Sequence, residues 1–227
     1  FVEELGADGA LVDHENRLEQ DVFDRDYEHM ILLDHARDAS AADQVVGVYR
    51  LMRSDRMRPG QQYYSEREYD LTVLQTSGRK LLELGRSCVH KDYRGGTAMH
   101  HLWQGLAAYV AQHRIEVLFG VASFHGIDVD ALAAPLSLLH HRHLAPPDLR
   151  VRARDFQRMD MLDEAAIDHR AAMVQVPALI KAYLRLGGTV GQGAYIDHSF
   201  NTIDVCLVMD TARLTDAARS RYGGVGP

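Results

Sequence analysis

The densest run of chemically useful residues lies between Lys80 and Trp103, and it reads KLLELGRSCV, then HKDYRGG, then TAMHHLW. The first block has the apolar content of a strand and the last opens a helical stripe, so HKDYRGG is a strand-to-helix loop. Such a loop offers unpaired backbone N–H groups and the positive end of a helix dipole, which suit an anion such as a phosphate. Gly95 and Gly96 permit close backbone approach or positive φ, Arg94 adds a forked cation, and Thr97 can cap the helix. On these residues alone an ordinary glycine turn is the favoured reading. Glu83, Gly85 and Arg86 stand on the strand before the loop. Strict alternation sends Glu83 and Arg86 to opposite faces, and a bulge at Gly85 would re-aim both and free a backbone N–H.

The elements that must position this unit follow from periodicity and punctuation. Residues 28–34 and 44–53 are rich in Val, Ile, Leu and Tyr and predict two antiparallel strands, with a turn between Asp38 and Asp43. Residues 53–68 are polar, charged and broken by Pro59-Gly60, so they form a surface excursion. Residues 80–89 form a strand, and the helix from Thr97 to His113 sets Leu102, Trp103, Leu106, Tyr109 and Val110 on one stripe. Residues 115–124 make a strand apolar enough to be buried on both faces. A short helix after Pro135 must stop at Pro146-Pro147, and residues 177–186 form a helix begun by Pro177 and ended by Gly187-Gly188. TVGQGAYID and IDVCLVMD read as closing strands, and a terminal helix is expected over Ala212 to Tyr222. The order predicts an α+β fold with a mixed, mostly antiparallel central sheet flanked by helices, in one domain over residues 1–227. The opening FVEELG reads as the end of a helix, so an N-terminal strand and helix are expected to be missing.

Composition narrows the function. With 25 Lys and Arg against 32 Asp and Glu, the formal charge of −7 argues against broad capture of nucleic acid. Cys88 and Cys206 both fall in apolar runs, which favours two free thiols in a reducing cytoplasm over a disulfide. No apolar run has the length of a membrane span. His100-His101 and the His140, His141, His143 group lack the spacing of a metal site, so no metal and no bound cofactor are expected. Cys88 and His90 share a strand face, which permits a covalent route, although a structural thiol is the commoner role.

VHKDYRGGTAMHHLW, from Val89 to Trp103, resembles the strand, pyrophosphate loop and helix of the GNAT acyltransferases. In that superfamily the loop reads R/Q-x-x-G-x-G/A, and here Thr97 stands where the central glycine belongs. A donor carrying only a phosphopantetheine arm asks less of such a loop than coenzyme A does. LEQDVFD, with Glu19, Asp21 and Asp24, and ELGR, with Glu83 and Arg86, resemble signatures of acyl-homoserine-lactone synthases. ELGRSCV, YRGG, LFGVASFHG, LLHHRHLAP, YLRLGG and AYIDHSFNTIDVCLV together resemble the bacterial ornithine N-acyltransferases that make lyso-ornithine lipid from 3-hydroxyacyl carrier protein.

That resemblance implies a GNAT-like fold and an N-acyltransferase that uses acyl carrier protein and L-ornithine. Glu83 would take the proton of the attacking amine, and the backbone at Gly85 would serve the developing oxyanion. Val89, Arg94, Gly95, Gly96 and Thr97 would hold the phosphopantetheine arm. Arg86 would take the acceptor carboxylate, with Asp21, Asp24, Asp197 and Asp204 for an ammonium and Asn201 as a neutral partner. Arg142, Arg150, Arg152, Arg154 and Arg158 share their segment with two aspartates only, a surplus of three positive charges that can dock an acidic carrier protein or touch the inner membrane surface. Another N-acyl amino acid synthase, an acyl-homoserine-lactone synthase, or a non-catalytic acyl-carrier or lipid-binding module are the alternatives.

Overall fold

The computed structural model describes residues 2–6, 11–16, 18–37, 40 and 42–214. In chain order the elements are α1 (Val2–Leu5), β1 (Glu28–Leu33), β2 (Val45–Arg53), β3 (Tyr69–Asp70), α2 (Thr72–Gln75), β4 (Leu81–Val89), α3 (Ala98–His113), β5 (Val117–His125), α4 (Ala133–His143), β6 (Arg152–Ala153), α5 (His169–Gln175), α6 (Ala178–Arg185), β7 (Thr189–Val190), β8 (Tyr195–Asp197) and β9 (Thr202–Asp210). Seven strands form the main sheet in the order β1-β2-β4-β5-β9-β7, with β8 also paired to β9, while β3 and β6 make a separate ribbon. All main-sheet pairs are antiparallel except β4 with β5. The α+β expectation and the strands and helices around the loop therefore stand.

That one parallel pair is joined by α3, the crossover that parallel neighbours require. Leu102 and Leu106 of α3 are buried with Leu82 and Leu84 in one core, which α4 and α6 help to cover. The opposite face of the sheet carries a second core, in which Tyr27, Tyr63 and Tyr69 pack with Leu81, Phe119, Cys206 and Val208. Alternation accounts for the division, since Leu82 and Leu84 face α3 whereas Leu81 and Glu83 face the tyrosines. All nine residues of β9 are buried, because it lies inside the sheet with both of its faces covered.

Three sequence expectations change in detail. TVGQGAYID is two short strands, since the chain leaves the ladder at Gly191 and Gly193 has φ +79. The helix around Pro135 begins at Ala133, which puts the proline in the first turn, where its missing N–H costs nothing. Helix α5, absent from the sequence reading, is N-capped by Asp168, whose side chain accepts from the Arg170 and Ala171 N–H groups. Most of the terminal helix expected over Ala212 to Tyr222, and part of the turn between Asp38 and Asp43, lie outside the described residues. No described helix is long and apolar enough to cross a membrane.

Candidate active site

Strands β4 and β5 pair only at Leu81 with Val117, Leu82 with Leu118 and Glu83 with Phe119. Beyond that point they part. A cavity of about 320 Å³ fills the opening, lined by residues 84–87 of β4 and residues 120–123 of β5. Gly120 stands at the apex of the fork. A Cβ built there would lie 2.1 Å from the Leu84 carbonyl oxygen, so only glycine lets the backbones approach before they diverge. Along the cleft the β4 backbone has no ladder partner on β5. Such an edge can receive an oxygen that gains negative charge.

The bulge expected in β4 is present, one residue later than predicted. Val48 pairs with Cys88 and Arg50 with Gly85, so β4 carries one extra residue against β2. The left-handed residue is Arg86, with φ +47, while Gly85 has an ordinary φ. Local geometry thus turns Arg86 toward the cavity, between the rings of Tyr64 and Phe200, whose centroids lie 5.2 and 5.4 Å from its Cζ.

Glu83 is only 1% exposed and does not line the cavity. Its carboxylate accepts from the Tyr27 hydroxyl, from the Tyr64 N–H at 3.0 Å and from the Ser65 N–H at 2.6 Å. Burial raises its pKa, and these donors pull the other way. It is held by these donors, while Arg86 pairs with Glu19 and Asp21. Glu83 is a clamp that fixes the turn from Tyr63 to Ser65, and so fixes Tyr64 against the cavity.

Arg86 is likewise committed. It donates to Asp21 at 2.8 Å and lies 3.0 Å from Glu19. Asp21 and Asp24 each accept at 2.7 Å from Arg50, which is 1% exposed and stacked near the rings of Phe23, Tyr27 and Tyr64. Asp21 and Asp24, expected to meet a substrate ammonium, are both engaged by the buried Arg50, and Asp21 by Arg86 as well. Burial alone would raise Asp24, but the Asp21 N–H and Arg50 outweigh it and lower its pKa. Burial raises Glu19. Arg50 escaped the sequence reading, although an arginine in the middle of the apolar run VVGVYRLM is a signal for a buried, paired charge.

The carboxylates that do reach the cavity are Asp197 and Asp204. With Glu68 they form a group whose oxygens lie within 4.8 Å of one another. Burial, with Asp204 and Asp197 close by, pushes Glu68 up to about 9. Burial also raises Asp204, against the Ser123 and Thr202 hydroxyls beside it. Asp197 also closes the turn before β9, accepting from the Ser199 N–H at 2.7 Å and the Phe200 N–H at 3.0 Å. Asn201 does not line the cavity. It occupies the left-handed position of that turn at φ +53, a structural role apart from the cavity.

Beyond β4, the loop presents a second hollow, at the start of α3, lined by Arg94, Gly96 and Thr97 among others. Gly95 takes φ +76 there. Thr97 is the N-cap residue but makes no side-chain cap, so the expected cap is corrected and the first N–H groups of α3 meet no side chain of Thr97. Arg94 is not a free phosphate fork. Its guanidinium grips Glu4 through contacts of 2.9 and 3.0 Å, and its Nε donates to the Val89 carbonyl at 2.9 Å. Val89 itself is buried and pairs with Gly47. His90 uses Nδ1 to accept from the Asp92 N–H, which removes it as a base for Cys88.

The arginine segment is mostly exposed but partly neutralised. Arg142 pairs with Glu164, and Arg158 with Asp160 at 2.9 Å. Arg150 donates to the Ala145 carbonyl, Arg152 stacks 4.0 Å from the Phe156 ring centroid, and Arg154 donates to the Glu66 carbonyl. Arg152 and Arg154 have no carboxylate partner among the described residues.

Comparison with known proteins matches this architecture. Residues 1–104 match the family described as an acetyltransferase (GNAT) domain. The chain is 59% identical over 222 residues to the L-ornithine N(alpha)-acyltransferase of Rhodobacter capsulatus, covering 98% of this chain and 86% of that protein. It is 40% identical to the protein of that name from Brucella abortus, covering 98% of this chain and 81% of the other. Among solved structures, the CoA-dependent acyl-homoserine lactone synthase BjaI aligns at 12% identity with a TM-score of 0.49, covering 95% of this chain and 74% of that one. With a GNAT architecture and relatives at this identity over nearly its whole length, the chain belongs to the L-ornithine N(alpha)-acyltransferase family.

Proposed function

We propose that the chain moves a 3-hydroxyacyl group from the phosphopantetheine arm of acyl carrier protein to the α-amine of L-ornithine, giving lyso-ornithine lipid. The cleft carries this reading. It opens where β4 and β5 part, with the uncapped start of α3 belonging to one face of the sheet. Asp204 shares its strand parity with Cys206 and Val208, which belong to the other face. A thioester arm arriving from the α3 side can therefore meet an amino acid held on the opposite side, between the parted edges of two strands. Identity of 59% to a named ornithine acyltransferase supports the acceptor.

In the step itself the neutral α-amine attacks the thioester carbonyl. A C–N bond forms, the C–S bond breaks, and the thiol leaves with a proton. An α-amino group with a pKa of about 8 is mostly protonated near neutrality, so an acceptor for its proton is needed. Glu83 is enclosed by its three donors and serves as a positioning residue. The proton passes to a group that lines the cavity, where His125 stands. The cleft edge beside Gly85 and Arg86 is suited to the oxyanion.

The α3 hollow supports a single phosphate better than a nucleotide, because Arg94 is already held by Glu4. Arg152 and Arg154, exposed on the ribbon, are the stronger members of the carrier-protein docking patch, and the reaction sits in the cytoplasm with the amphiphilic product leaving to the inner membrane. The test is to supply 3-hydroxyacyl carrier protein or 3-hydroxyacyl-coenzyme A with L-ornithine and weigh the products. N-acyl ornithine from the carrier-protein donor is expected. Product from coenzyme A alone would overturn the donor, and consumption of S-adenosylmethionine with ornithine ignored would overturn the acceptor.

A further inference from the structure

Three buried oxygens around the acidic end of the cavity have no hydrogen-bond partner among the described residues: Glu68 Oε2, Asp204 Oδ1 and Thr202 Oγ1. Their residues are 3%, 4% and 1% exposed. Leaving such acceptors bare costs free energy, more so for a carboxylate, so their persistence at one place calls for a missing donor. Asp204 and Thr202 both line the cavity, two residues apart on β9 and hence on one face of it. Asp197 lines it beside them, and its carboxylate lies within 4.8 Å of those of Glu68 and Asp204.

None of these three carboxylates is paired with an arginine or lysine side chain among the described residues. The contrast with Glu19, Asp21 and Asp24 is direct, since those hold Arg50 and Arg86. One acidic group is thus spent inside the protein and the other is left facing the cavity without a cation.

We propose that Glu68, Asp197, Asp204 and Thr202 form a socket for the second, side-chain ammonium of the acceptor, making this enzyme selective for diamino acids over neutral amino acids of the same length. The proposal rests on the acyl transfer argued above. An ammonium brings three N–H donors, and Asp204 Oδ1, Glu68 Oε2 and Thr202 Oγ1 can each accept one, Glu68 as a neutral carboxyl through its carbonyl oxygen and Thr202 through a hydroxyl lone pair. A primary ammonium also suits the site better than a hard divalent metal, which takes six or more oxygen ligands.

The experiment compares L-ornithine with L-norvaline, which has the same carbon chain without the distal ammonium. Acyl transfer from carrier protein is followed by thiol release, and binding of each amino acid to the full chain is followed separately by calorimetry. Loss of hydrogen bonds to a charged group predicts that wild-type protein prefers ornithine by roughly 10- to 150-fold, chiefly in KM. Asp204→Asn, Glu68→Gln and Thr202→Val should each shrink that preference by several-fold or more, with norvaline turnover changing much less. Thr202→Val keeps the side-chain volume and introduces no charge, so it reads the socket even where a carboxylate variant folds poorly. Equal use of norvaline by wild type, or an unchanged preference in folded Thr202→Val and Asp204→Asn, overturns the socket. Ornithine binding that appears only after Mg²⁺ or Ca²⁺ is added to EDTA-treated protein overturns it as well. Selective ornithine binding without any acyl transfer would uphold the socket and sink the transfer reaction, so the two failures are separable.

Discussion

Replacing Glu83 by alanine separates a clamp from a base. The carboxylate accepts from the Tyr27 hydroxyl and from the Tyr64 and Ser65 N–H groups. Its removal does not strand all three. The Tyr64 N–H also lies 2.9 Å from the Tyr27 hydroxyl oxygen and keeps that acceptor. Two buried donors are left, the Ser65 N–H and the Tyr27 O–H, at roughly 1–3 kcal/mol each, so Glu83→Ala should lose about 2–6 kcal/mol. That is a large share of the roughly 5–15 kcal/mol by which a domain is stable. Glu83→Gln should lose less, because its amide oxygen can still accept from Ser65 while the Tyr27 hydroxyl turns to accept from its NH₂. Urea unfolding followed by tryptophan fluorescence and circular dichroism reads both values, and acceptor KM reads the displacement of Tyr64. A Glu83→Ala protein within about 1 kcal/mol of wild type, folded but inactive, would refute the clamp and restore the base.

Two further outcomes follow from the same cleft. Gly120→Ala puts a methyl group against the Leu84 carbonyl, which must move because the contact would be 2.1 Å. A loss of about 1–3 kcal/mol and a sharp fall in acyl transfer are expected, and a variant with wild-type melting and activity would show that the fork does not need the glycine. The second outcome concerns pH. Glu68 is raised to about 9 by burial and by Asp204, Asp197 and Glu83 around it, so the folded chain keeps a proton that the unfolded chain gives up above about pH 4.5. Stability from this group is complete at acid pH and is lost as pH rises toward 9. Urea midpoints should therefore fall between about pH 5.5 and about pH 8.5, and Glu68→Gln should flatten the slope. A wild-type midpoint that rises across that window would contradict the burial argument.

Periodicity served the sequence reading well wherever burial follows a simple repeat. The stripe of α3, the strands before and after it and the long β9 were all legible, because each buries a regular face against the sheet. The kink in β4 was foreseen from the conflict between Glu83 and Arg86, yet it fell on Arg86. A glycine is the natural suspect for positive φ, but here the ring stack with Tyr64 and Phe200 and the contacts to Glu19 and Asp21 hold an arginine there instead. Charge partners were the least legible part. Residues 19–24 meet Arg50 and Arg86 only after the chain has folded back on itself, and nothing in local spacing says which acids will be spent on arginines. Glu68 lay hidden for the same reason, in a polar stretch to which no structure had been assigned. What brings it to Asp204 is Tyr69, whose hydroxyl donates to the Gly193 and Asp204 carbonyls at 3.0 and 2.9 Å.

Strand β9 has a consequence for biosynthesis. It pairs with β5 on one side and with β7 and β8 on the other, and it is the last strand of the described chain. A ribosome makes the chain in the opposite priority to the sheet: β1, β2 and β4 emerge early, while the strand that covers β5 emerges last of the described strands. Until then β5 shows a free apolar edge, the kind that recruits other strands. Asp204 and Thr202 arrive with β9, so the nascent chain acquires its inner sheet partner and the acidic end of its cavity in a single late event. Chaperone dependence should therefore concentrate on chains stalled before Thr202 and ease once β9 has cleared the exit tunnel.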